Sequence, residues 1–109
     1  MLGQFEAIND VDDNGNPTGG SVSGVGLSIS WQNGPLGRGD DRKEPNGAFV
    51  ETVIAAAKQR IEFYQKASDG RFECRENRLA IACLTDALGY LDDRTKSREA
   101  RNVEGTHTI

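Results

Sequence analysis

The sequence predicts an α+β fold: an N-terminal β-hairpin followed by an antiparallel two-helix hairpin, assembled as a dimer or higher oligomer. Three observations predict it. Val25, Leu27, Ile29 and Trp31 alternate with Gly24, Gly26, Ser28 and Ser30, the period-two pattern of a half-buried strand. Residues 47–67 and 74–101 instead repeat their apolar side chains at steps of three and four, the spacing of one helix face. Finally, the chain has 109 residues, 36% of them hydrophobic, 28% charged and 13 of them glycine. That is little material for a self-sufficient core, so partner subunits are expected to complete it. The organisation expected is a β-hairpin and glycine-rich loop region over residues 1–46, and a helical hairpin with a short tail over residues 47–109.

In chain order, Gln4–Val11 is a candidate strand. Asp12–Gly20 (DDNGNPTGG) is dense in turn formers, with Asn14-Gly15 a strong hairpin signal, and predicts a long mobile loop before the second strand. Gln32–Asn46 (QNGPLGRGDDRKEPN) is a loop that starts in tight-turn chemistry and ends in a charged run. Asn46 is the expected N-cap of the first helix, with Pro45 excluding the preceding residue from helical geometry. That helix buries Val50, Ile54, Ala57, Ile61 and Tyr64, widened by Phe49 and Val53. Ser68-Asp69-Gly70 is a turn too short for anything but antiparallel helices. The second helix carries the stripe Asn77, Ala80, Leu84, Ala87, Leu91, Arg94, Arg98, Arg101, with Ile81 and Leu88 as a second apolar edge. Gly89, inside this helix at about 1 kcal/mol relative to alanine, predicts close approach of another backbone. Residues 102–109 form a non-helical tail.

Several function classes are excluded or weakened. A net charge of −4 is the wrong sign for general nucleic-acid binding, which needs a broad basic field. Cys74 and Cys83 lie about 13 Å apart along one helix, too far for a disulfide, and free thiols point to a reducing cytoplasm. No signal peptide and no segment of membrane-spanning length is expected. Asp10–Gly15 opens like a calcium loop, but Ser21 stands where the bidentate glutamate belongs, so a simple turn is preferred. The spacing of the two cysteines and single histidine fits no zinc pattern, and His107 has no paired nucleophile. No catalytic residue, metal or cofactor is therefore expected.

What remains is a polar helix with an amide at one end and guanidinium groups at the other. Arg94 and Arg98 are one turn apart and suit bidentate phosphate contacts. Residue type alone favours the plainer reading, pairing with Asp93, Glu99 or Glu104. Tyr64 could stack a purine or complete the apolar stripe; Asn77 could meet a base edge or face solvent. Asn77 and Arg98 are about 32 Å apart along a helix, so one small ligand on one chain cannot touch both. They belong to two pockets, or subunits meet antiparallel.

The blocks ISWQNGPLG (29–37), NGAFVETV (46–53), Phe63-Tyr64-Gln65, CREN (74–77), Arg94–Arg101 and VEGTH (103–107) together resemble the phage Thoeris anti-defence sponge family, first type. The second helix also resembles the helical hairpin domain this family shares with the anti-CBASS cyclic-nucleotide sponges. The similarity covers about residues 24–108. The resemblance implies a non-catalytic phage protein of the host cytoplasm that sequesters immune signals. Its implied ligand is glycocyclic ADP-ribose, made by a TIR-domain enzyme to switch on an effector, with cyclic di- or trinucleotides at a second site. It also implies homodimers, and hexamers built from them, with no DNA or membrane partner. By position, Tyr64 and Asn77 correspond to the ADP-ribose pocket, with Trp31, Gln32, Asn33 and Leu36 of the turn as a wall. Arg94 and Arg98 correspond to the basic cluster for cyclic oligonucleotides. The competing reading is a helical-hairpin protein–protein interaction module with no small ligand.

Overall fold

The computed structural model describes residues 2–109, and its internal contacts divide the chain into two units, residues 2–49 with Glu99–Ile109, and Val50–Arg98. The first unit is built on three strands, β1 (Phe5–Val11), β2 (Pro17–Gly24) and β3 (Leu27–Ser30), antiparallel in the order β1-β2-β3. The predicted loop before the second strand is therefore half right: its first part turns, and its second part is the central strand. Glycine and serine disguise β2, because both depress strand propensity. Yet glycine is what the register requires at Gly20, where φ is +135° and a Cβ would run into the Ile8 carbonyl. Register places Phe5 and Ala7 opposite Gly24 and Val22, and these opposite Leu27 and Ile29. One face is thus apolar. The other carries Glu6 and Ile8 beside Ser21, Ser23, Ser28 and Ser30.

The β1–β2 turn is organised by Asp12. Its Oδ1 accepts the backbone N–H groups of Asn14 and Asn16, each at 2.9 Å. These bonds, the one from Asn16 foremost, hold the Asp12 carboxyl below its ordinary 3.8. The acidic run that looks like a calcium loop is an Asx turn, and no group of three or more metal-ligating side chains occurs among the described residues.

After β3 the chain makes a parallel bridge between Trp31 and Ala48, with Ala48 N–H donating to Ser30 O and Gln32 N–H to Ala48 O. This extended pairing delays the first helix, α1 (Val50–Gly70), by three residues from its predicted start at Gly47. Asn46 is not its N-cap. Its side chain accepts the Asn33 N–H at 2.8 Å and donates to the Asn33 carbonyl at 3.3 Å instead.

In the second unit, regular helical geometry in α1 stops at Ala67 (ψ 142°), and Ser68 and Asp69 adopt left-handed angles, making the predicted turn. The second helix, α2 (Arg75–Ala100), matches its predicted span within one residue at each end. Half-buried positions follow one face of α2 through Asn77, Ala80, Ile81, Leu84, Ala87, Leu88, Leu91, Thr95 and Arg98. Both predicted apolar edges lie on that face, whereas Arg94 falls outside it. On α1 the half-buried face is Val53, Ile54, Lys58, Ile61, Glu62 and Gln65, so Gln65 rather than Tyr64 continues the stripe. Around Gly89 the expected backbone neighbour is absent among the described residues: none of them comes within 4 Å of a Cβ placed there.

None of the described residues is buried. No helix among the described residues is long and apolar enough to cross a membrane.

Candidate functional site

Tyr64 and Asn77 are positioned by a clamp that closes the turn between the helices. Gln65 Oε1 accepts the Cys74 N–H at 3.0 Å, and Gln65 Nε2 donates to the Cys74 carbonyl at 3.2 Å. The side-chain amide thus pairs with a backbone amide as a neighbouring strand would. With residue 65 pinned to residue 74, Tyr64 and Asn77 leave the clamp on the adjoining ends of α1 and α2. Cys74 is half-buried and free, as is the exposed Cys83. Asn77 is half-buried in the first turn of α2, and its side-chain amide makes no hydrogen bond within the described chain.

Tyr64 does not face a core. It is 43% exposed and Phe63 48%, with their ring centroids 6.0 Å apart and tilted by 56°. Arg60 completes the group. Its guanidinium carbon sits 5.0 Å from the Phe63 centroid and 4.9 Å from that of Tyr64, and its Nε donates to Tyr64 Oη at 3.2 Å. Such exposed cation–π contacts are worth about 0.5–1 kcal/mol, so the group is an accessible aromatic platform rather than a structural knot. Arg60 was not legible as a site residue in the sequence. The signal that points to it is its spacing: Arg60 lies three and four residues before the two rings, on their side of the helix.

Arg94 is exposed and has no hydrogen bond or ion pair within the described chain, whereas Arg98, one turn on, is half-buried. Arg101 is turned to the tail, where its Nη1 donates to the Ile109 oxygen at 2.6 Å. Glu104, one expected neutraliser of these arginines, also pairs with Arg42. It takes the Arg42 guanidinium in a two-pronged pair at 2.7 and 3.1 Å, which raises Arg42 above its ordinary value.

The turn predicted as a pocket wall lies in the first unit and is tightly internal. Gln32 is spent on its own loop, its Nε2 donating to the Gly34 carbonyl at 3.2 Å and its Oε1 accepting the Asn46 N–H at 2.8 Å. Asn33 is held by Asn46 through its backbone, and its exposed side chain makes no hydrogen bond among the described residues. Trp31 and Leu36 are half-buried. Beyond them, Gly37 N–H donates to the Gly105 carbonyl at 2.8 Å, and Arg38 and Arg42 both reach the 104 region. The GPLG and VEGTH segments are thus two sides of one lock. Trp31, Gln32, Asn33 and Leu36 belong to this unit, whereas Tyr64 and Asn77 belong to the helical unit.

Compared with known proteins, the chain is similar to Thoeris anti-defense 1 of Bacillus phage SBSphiJ7, with 39% identity over 80 residues. The match takes in 73% of this chain and 51% of that protein, so the chain spans about half the length of the curated relative it matches. No family model matches the sequence.

Proposed function

Over those matched residues this chain belongs to the Thoeris anti-defence family, and from that premise we propose that it binds and sequesters an immune signalling nucleotide without cleaving it. The ligand class is glycocyclic ADP-ribose, and the setting is the cytoplasm of a phage-infected host, where capture of the signal leaves the Thoeris effector unswitched. The observation that carries this reading is the exposed Tyr64 ring, flanked by Phe63 and Arg60 at the end of α1 that the Gln65–Cys74 clamp ties to the start of α2, where the Asn77 amide makes no hydrogen bond among the described residues. An aromatic face gives a base about 1–3 kcal/mol of stacking, and an amide can meet its edge. A sponge needs nanomolar affinity or better, about −12 kcal/mol. One stack and several charge-assisted hydrogen bonds at about 1.5–3 kcal/mol each bring that within reach in a preformed pocket. No bond has to break, so binding alone is the activity.

Assembly is part of the same proposal. None of the described residues is buried in the single chain, as expected where partner subunits complete a core. A homodimer, or a hexamer built from dimers, would cover Leu79 and Tyr90, now 48% and 75% exposed. It would also supply the missing walls of each pocket. Arg94 and Arg98 then serve a second site for cyclic di- or trinucleotides, in keeping with the unneutralised Arg94.

Titration calorimetry tests both sites at once. The native chain should bind glycocyclic ADP-ribose tightly, and a cyclic trinucleotide separately. The double variant Arg94→Ala, Arg98→Ala should lose trinucleotide binding at least 100-fold, roughly two charge-assisted contacts, while retaining glycocyclic ADP-ribose. Loss of both ligands together would contradict the two-site reading.

A further inference from the structure

Arg60 is the charge beside this platform that the rest of the chain leaves uncommitted. The residues one turn away on its helix are Ala56, Ala57, Phe63 and Tyr64, so no carboxylate stands at ion-pairing distance along α1. No ion pair to Arg60 exists within the described chain. Its partners are two ring faces at 5.0 and 4.9 Å and the Tyr64 hydroxyl. The guanidinium is a flat group lying over the face of Tyr64, which is where a flat base would stack. One ring face cannot hold both.

We infer that Arg60 is a placeholder on the stacking platform, displaced from the Tyr64 ring by the ligand's base and transferred to the ligand's diphosphate. This rests on the nucleotide reading above and adds to it a residue and a selectivity. In the free chain the guanidinium covers the aromatic face and keeps its own weak contacts. On binding, the base takes the ring, and the guanidinium exchanges those contacts for a two-pronged pairing with phosphate oxygens, for which its planar fork is suited. A nucleoside displaces the same group but offers it nothing in return. The platform therefore favours nucleotides carrying phosphate over nucleosides.

The test compares glycocyclic ADP-ribose with adenosine as titrants against the full chain and its variants Arg60→Met and Arg60→Lys. Methionine keeps helix propensity and an unbranched stem at an exposed position, so the fold is retained. Arg60→Met should weaken glycocyclic ADP-ribose about tenfold or more, the equivalent of one charge-assisted contact. It should flatten the salt dependence of that binding and leave adenosine unchanged or tighter. Arg60→Lys should fall between, since it restores the charge without the fork. In the native chain, the Arg60 Nε–H resonance should shift when ligand is added, as the group leaves the rings. Unchanged binding of glycocyclic ADP-ribose by Arg60→Met, with Tyr64→Ala still impaired, would overturn the placeholder and leave the nucleotide reading standing. Equal weakening of both titrants would also overturn it, because Arg60 would then only orient the Tyr64 ring. Failure of the native chain to bind either titrant would overturn the nucleotide reading and this inference with it.

Discussion

Replacing Tyr64 with alanine should weaken glycocyclic ADP-ribose binding by about 10- to 100-fold while leaving the fold intact. The magnitude follows from losing one base–aromatic stack, about 1–3 kcal/mol, at about 1.4 kcal/mol per decade of affinity. The fold should tolerate the change because the side chain is 43% exposed and lies off the half-buried face of α1. Its partners are Arg60 and Phe63, both exposed themselves. Tyr64→Phe separates ring from hydroxyl: it keeps the stacking surface and should bind within a few-fold of the native chain. Asn77→Ala should produce a loss of about tenfold, since it removes an amide that has no structural duty among the described residues and leaves a ligand polar atom unpaired. Calorimetry on folded variants, checked by circular dichroism, measures all three. Native affinity in Tyr64→Ala would remove this platform from the site.

The second large effect concerns the lock between the 37 and 105 segments. Gly105 has φ +80°, and a Cβ there would run into the Gly37 carbonyl. Any L-residue at this position adopts left-handed geometry at about 1–2 kcal/mol. It also has to push Gly37 away, breaking the Gly37 N–H to Gly105 O bond, about 0.5–1.5 kcal/mol net. Gly105→Val should therefore lower the melting temperature by about 10–20 °C, given about 4–8 °C per kcal/mol for a domain near this size. Gly89→Ala is the internal comparison. Space is open around Gly89 in the chain and its backbone is helical, so alanine there gains about 1 kcal/mol of helix propensity. A melting temperature unmoved by Gly105→Val would show that the lock contributes nothing to stability.

These two sites differ in how far the sequence revealed them. Period and composition were enough for α2, whose alanine–leucine ladder gave its span within a residue at each end, and for β3, whose alternation is clean. β2 was hidden because its residues were chosen for how closely β1 approaches them, and a glycine-rich run looks like a loop when its neighbour is unknown. Asn46 illustrates the same limit from the other side. Its local context is that of an N-cap, but Asn33, 13 residues back, claims its side chain. Glu104 and Arg42 are 62 residues apart, a separation that no helical or strand period encodes, so their pairing was not legible in the sequence. The spacing of Tyr64 fits both a stacking ring and a core aromatic, but Gln65 holds the half-buried place in the stripe. What fixes the tyrosine outward is the bond between Gln65 and Cys74 across the turn, again a tertiary fact.

Capture without chemistry is the central claim, and the fate of the ligand tests it most directly. The purified chain is incubated with glycocyclic ADP-ribose, filtered to remove unbound ligand, heat-denatured, and the released small molecule identified by mass spectrometry. Retention on the protein followed by recovery of the intact cyclic molecule, in near-stoichiometric amount, is the predicted result. Recovery of ADP-ribose or another breakdown product would make the protein an enzyme, and failure to retain any ligand would favour a helical-hairpin interaction module; either contradicts the account.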